Sequence, residues 1–207
     1  MADLFPSEDF DAWAETYDQT VTVDEFPFNG YERALNTVVA LAEARPGMSI
    51  LDLGTGIGNL ALRFARLGCK LWCTDFSEAM LAKARQKLPG ARFVLSDLRA
   101  DWPSELEREF DCIVSAYVLH HFTLDEKVRI VKSLAARLAP GGWIVIADIA
   151  FPDAQAMEMV KVSVGDDWED EFYWLADESL AALQKIGLKA TYRQVSSCAG
   201  VFVIQPT

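Results

Sequence analysis

The sequence predicts an α/β protein built on a doubly wound, seven-stranded sheet, mostly parallel and closed by a C-terminal antiparallel hairpin. Three observations predict it. Between residues 48 and 149 short apolar runs alternate with amphipathic helical stretches, and strands separated by helices form right-handed βαβ units. A glycine-rich turn, Gly54-Thr55-Gly56-Ile57-Gly58, follows the first of these strands and opens a helix. The last two strand-like runs, 188–195 and 200–204, are joined by only a few residues. So short a link fits an antiparallel pair, because parallel strands need a dozen or more connecting residues.

Taken in order, residues 7–19 read as a helix that Ser7 can cap, with Phe10, Trp13, Ala14 and Tyr17 at helical spacing. A second helix spans 30–44, with Leu35, Val38, Val39 and Ala42 on one face, and Pro46-Gly47 stops it. Strand one, 48–53, is apolar apart from Asp52, the mark of a strand buried on both faces. Helix 58–67 and strand 70–74 follow, then a helix capped by Ser77 and ended by Pro89-Gly90. Strands 92–95 and 111–116 come next. Thr123 and Glu126 form a capping box for a helix with the stripe Leu124, Val128, Val131, Leu134 and Leu138, ended by Pro140-Gly141-Gly142. Strand five is 143–149. Residues 151–176 are mixed and acidic, and 177–186 are again helical. The predicted organisation is one domain over 1–207, with 1–46 as an N-terminal helical cover and 151–176 as a lid-like insertion.

Composition narrows the function. Net charge is −12, which argues against a nucleic-acid backbone as partner, since phosphate binding needs clustered Lys and Arg. A small neutral or cationic substrate fits better. No apolar run approaches the ~20 residues of a membrane helix, and the acidic N-terminus lacks a secretory pattern, so a cytoplasmic protein is expected. The cysteines Cys69, Cys73, Cys112 and Cys198 contain no CxxC pair and read as buried small hydrophobes.

The chemistry-bearing residues fall at the carboxyl ends of successive strands, where open α/β sheets bind ligands. The first group is Asp52, Gly54, Thr55 and Gly56, spaced GxGxG and not GxGxxG. Asp75 ends strand two, 23 residues beyond Asp52, close to the ~20-residue interval at which an acidic residue meets a ribose. Asp97 and Leu98 follow strand three, and Ser115 ends strand four.

These segments resemble the successive motifs of class I S-adenosylmethionine (SAM)-dependent methyltransferases: DLGTGIGN the first, CTDFSEAM the second, VLSDL the third and FDCIVSAYVLHHF the fourth. LAPGGWIVIAD resembles the entry into strand five. WAETYD and HHFTLDEK are similar to the bacterial YrrT-type uncharacterised methyltransferases. The resemblance implies a Rossmann-like fold, SAM as cofactor and S-adenosylhomocysteine (SAH) as product. It implies backbone around Gly54 and Gly56 beneath the methionine part, Asp75 on the ribose hydroxyls, and Phe76 and Met80 against adenine. It also implies Asp97 on the adenine amino group, Ser115 near the sulfonium, and Trp13 and Tyr17 over the methionine end.

His120 and His121 are candidates for a general base, His being the commonest choice near neutral pH. They precede a helix cap, so turn formation is the alternative role. No carboxylate cluster accompanies them in the sequence around strand four, so the expectation is a metal-independent enzyme acting on a small-molecule acceptor. Two other readings stand beside it: a non-catalytic SAM-binding partner subunit, and a nicotinamide-dependent reductase, which the loop spacing and the hairpin oppose.

Overall fold

The computed structural model describes residues 7–207, with side chains from Phe10 onward, so the expected Ser7 cap lies outside the described side chains. The sheet runs β3-β2-β1-β4-β5-β8-β7. Strands β1 (Ser49–Leu53), β2 (Lys70–Asp75), β3 (Arg92–Leu95), β4 (Phe110–Ala116) and β5 (Leu138–Phe151) pair in parallel. β7 (Leu188–Gln194) and β8 (Ala199–Pro206) form the predicted antiparallel hairpin, and β8 pairs antiparallel with β5. An eighth strand, the two-residue β6 (Trp174–Leu175), pairs with the end of β5.

The two-residue period of each strand feeds two cores. Ile50, Cys112, Val114, Val145 and Ala147 face helices α3 (Tyr31–Leu41) and α4 (Asn59–Arg66). Leu51, Leu53, Ile113, Ile144 and Ile146 face α6 (Leu124–Ala135) and α8 (Ala176–Lys185). Burial on both faces is why these strands read as continuous apolar runs. In the chain, α5 (Glu78–Lys87) follows α4 behind the Ser77 cap, and α7 (Ala154–Val164), capped by Asp153, follows β5.

Several element boundaries differ from expectation, two of them with a clear local cause. The helix expected over 7–19 is split into α1 (Ser7–Trp13) and α2 (Tyr17–Thr20). The break is a tight turn in which Thr16 N–H donates to Trp13 O at 3.0 Å. Strand five begins at Leu138, not 143, because α6 stops at Ala135 and the Pro140-Gly141-Gly142 run is taken into the strand at an irregular register against β4. A Cβ on Gly142 would lie 2.9 Å from Asp111 O, so only glycine lets the strands approach there. Cys73, Cys112 and Cys198 are buried and Cys69 half-buried, all as free thiols. Among the described residues no helix is long and apolar enough to cross a membrane.

Candidate active site

The carboxyl ends of β1 to β4 open into a cavity of about 830 Å³. Its floor is the β1–α4 turn. Gly54, Gly56 and Gly58 all adopt positive φ, the left-handed region that glycine enters without strain. A Cβ on Gly54 would come within 2.3 Å of Val118 Cγ2, whereas nothing lies within 4 Å of one on Gly56, so the turn is open at that residue.

Two buried carboxylates brace this turn. Asp52 accepts from the Thr55 hydroxyl at 2.7 Å. Burial pushes its pKa up to about 7; the Thr55 bond opposes the shift and the charge of Asp75 adds to it. Asp75 accepts from Gly56 N–H at 2.8 Å and Ser77 N–H at 3.0 Å. Burial raises its pKa to about 6 against these backbone bonds. Phe76 N–H is a third backbone partner, and these bonds do not exhaust the roughly four lone-pair sites of the carboxylate. Phe76, Met80, Asp97 and Leu98 line the same end of the cavity. Asp97 is half-buried and accepts from Arg99 N–H at 2.8 Å.

Two segments wall the cavity from above. The N-terminal one contributes Phe10, Trp13, Tyr17, Phe26, Phe28 and Tyr31. It is tied to α5: Ser77 Oγ donates to Asp11 at 2.5 Å, while Lys83 pairs with Glu15 and Lys87 with Asp18. Residues 166–173 contribute Asp166, Asp167, Glu169, Glu171 and Tyr173. The segments meet where Phe26 stacks on Trp168, centroids 4.9 Å apart.

The two histidines sit between these segments and the sheet. His120 Nδ1 lies 2.5 Å from Asp148 Oδ1; a carboxylate only accepts, so Nδ1 bears the proton. Asp148, fully buried in β5, also accepts from Ile149 N–H at 2.9 Å and Trp174 Nε1–H at 3.0 Å. Burial alone would raise the Asp148 pKa, but the charges of His120 and Lys127 and the Trp174 bond hold it below its ordinary value. Glu171 approaches both rings, with Oε2 3.7 Å from His120 Nε2 and Oε1 3.4 Å from His121 Nδ1. Lys127 is buried on α6 and donates to Phe172 O; burial lowers its pKa to about 8.

A methyltransferase-domain family model matches residues 50–142. The uncharacterised methyltransferase GK2543 of Geobacillus kaustophilus is 34% identical over 197 residues, covering 89% of each chain. The uncharacterised methyltransferase YrrT of Bacillus subtilis is 32% identical over 173 residues, covering 82% of this chain and 78% of its own. The chain belongs to the uncharacterised methyltransferases of the YrrT type. The fold is shared with the DhpI–SAM–HEP complex, with a TM-score of 0.77 at 19% identity over 100% of this chain and 99% of that one. It is shared too with the SAH-bound magnesium protoporphyrin IX methyltransferase ChlM of Synechocystis, with a TM-score of 0.76 at 17% identity over 96% and 97%.

In this methyltransferase the cavity gathers Trp13, Tyr17, Asp52, Gly54, Thr55, Gly56, Asp75, Phe76, Met80, Asp97, Leu98, His120 and His121. Ser115 is the exception. It is buried with its Oγ donating to Leu53 O at 2.8 Å, so it stitches β4 to β1 and is not part of the cavity lining. Sequence reasoning overlooked Asp148 and Glu171. A lone Asp inside the buried run Ile144–Ile149 was a readable signal, because a buried charge needs partners. Glu171 had no such signal, lying in an acidic stretch that reads equally well as a solvated loop. With both in place, the ground for expecting a metal-independent enzyme, histidines without a carboxylate cluster, is gone.

Proposed function

We propose that this methyltransferase moves the methyl group of SAM to a small-molecule acceptor held in the aromatic half of the cavity. One observation carries the reading. A single cavity joins the glycine turn and its acidic residues at one end to an aromatic, acidic wall at the other. Its volume of about 830 Å³ lies within the range of roughly 300–1,000 Å³ of small-molecule sites.

SAM, when bound, supplies a methyl group already activated on a positively charged sulfur. The chain's own residues bind and orient. The open backbone at Gly56 leaves room for the methionine part, and Asp75 accepts from the ribose hydroxyls. Phe76 and Met80 pack on adenine, and Asp97 accepts from its amino group. Trp13 and Tyr17 close over the methionine end, excluding water from the reacting atoms. Alignment of acceptor and methyl is the main device, and positioning of this kind contributes on the order of 7–11 kcal/mol at best.

Isothermal titration tests the cofactor half: one SAH site per chain is expected, with no comparable binding of NAD. A protein that binds NAD and ignores SAH would end the reading. A screen of small-molecule extracts for methyl acceptance tests the other half. Methylation of protein or nucleic acid alone would refute a small acceptor.

A further inference from the structure

We propose that His120, His121 and Glu171 form a binding site for one divalent transition-metal ion of the Zn²⁺ type, at the acceptor end of the cavity. The three donor atoms lie within 4.8 Å of one another. Zn²⁺ bonds of ~2.1 Å in a tetrahedron put neighbouring donors about 3.4 Å apart. The Glu171 carboxylate approaches that spacing through one oxygen on each ring, Oε1 3.4 Å from His121 Nδ1 and Oε2 3.7 Å from His120 Nε2, so binding through a single oxygen requires the carboxylate to turn.

The donors are also held in place. His120 donates its Nδ1–H to Asp148, so that in the neutral ring Nε2, 3.7 Å from Glu171 Oε2, is the nitrogen left to bind an ion, the carboxylate–histidine support that metal ligands commonly have. Trp174 and Ile149 fix Asp148 in turn. Glu171 is placed by its neighbour: Phe172 N–H donates to His120 O at 3.0 Å, and Lys127 donates to Phe172 O. The ammonium of Lys127 is thus directed at that carbonyl and the Trp174 ring, 4.7 Å away. Asp166, Asp167 and Glu169 line the same cavity and add negative potential that favours a cation.

Two imidazoles and one carboxylate suit Zn²⁺ and its first-row neighbours, not Mg²⁺ or Ca²⁺, which select all-oxygen sites. Three protein ligands leave a position open, and because all three residues line the cavity it faces the acceptor end. A hydroxyl or thiol joining there loses its proton to solvent more readily. That consequence rests on the methyl-transfer reading; the ion site itself does not.

The test is titration of chelator-treated full-length protein with Co²⁺, followed by displacement with Zn²⁺. One ion per chain is expected, with the visible d–d absorption of low-coordinate Co²⁺ lost as Zn²⁺ is added. His121→Ala and Glu171→Gln should each weaken Co²⁺ binding at least tenfold while circular dichroism and the thermal midpoint, the checks of folding, are kept. Wild-type protein that takes up no stoichiometric Co²⁺ or Zn²⁺ overturns the proposal, as do folded variants that bind like wild type. The same samples titrated with SAH read the cofactor site separately. A protein that takes the ion and not SAH supports this site and refutes the cofactor reading.

Discussion

An ionised carboxylate accepts from two ribose hydroxyls more strongly than a carboxylic acid does, and burial opposes ionisation of Asp75, raising its pKa to about 6. Binding that selects the ionised form therefore releases a proton near that pH. SAH affinity should rise as pH increases through 6, and calorimetry in buffers of different ionisation enthalpy should show the released proton. Affinity flat across that range would remove Asp75 from the ribose. Without ligand the sign is opposite. Asp52, at about 7, and Asp75 both bind protons more tightly in the folded chain than in the unfolded one, so their contribution to stability grows as pH falls toward 4. Asp75→Ala should cost about 2–3 kcal/mol of SAH affinity, and Asp97→Ala less, because it loses one contact to a neutral amino group. Gly54→Ala combines positive φ with the approach to Val118 and should lower stability by roughly 1–3 kcal/mol in thermal unfolding. Asp75 was legible from its interval to Asp52. Its ionisation was not, because the burial behind it comes from chain segments far away in sequence.

At the scale of elements, two helix caps have different consequences. Thr123 and Glu126 form the capping box read from the sequence, with Glu126 Oε2 accepting from Thr123 N–H at 2.8 Å. Thr123→Ala should cost about 1 kcal/mol and act on α6 alone. Ser77 caps α5 through Met80 N–H at 3.1 Å and also donates to Asp11 of the N-terminal cover. Ser77→Ala should cost a similar amount and in addition speed hydrogen exchange over residues 10–20, which Thr123→Ala should leave alone. Equal exchange in both variants would mean the cover is held by its apolar contacts. The flanking pairs Lys83–Glu15 and Lys87–Asp18 carry largely exposed carboxylates, and such pairs contribute only ~0–1 kcal/mol each. Both caps were legible because capping is local chemistry. The bond from Ser77 to Asp11 spans 66 residues and carries no local signal.

At the scale of the molecule, the two walls of the cavity are coupled through Phe26 and Trp168. We expect them to act as one cover. Hydrogen exchange over 10–31 and 151–176 should slow when SAH binds, whereas β1 and β4 are already protected by pairing on both sides. Trp168→Ala should weaken the slowing in both segments together, since it removes the stacked contact they share. A response confined to 54–58 and the Asp75 region would show that the walls do not close over the cofactor.

The alternation of strands and helices between residues 48 and 149, the glycine turn and the acidic residue ending β2 were determined by the sequence itself, because periodicity, capping and backbone strain act over a few residues. The same locality led to errors where tertiary packing intervened: Ser115 turned from the cavity to Leu53, and Pro140-Gly141-Gly142 was drawn into β5. Only the folded chain brings Asp148 from β5 and Glu171 from beyond α7 to the histidines after β4. Contacts across 28 residues and more depend on how the sheet and its covering segments pack, and no pattern along the chain encodes them.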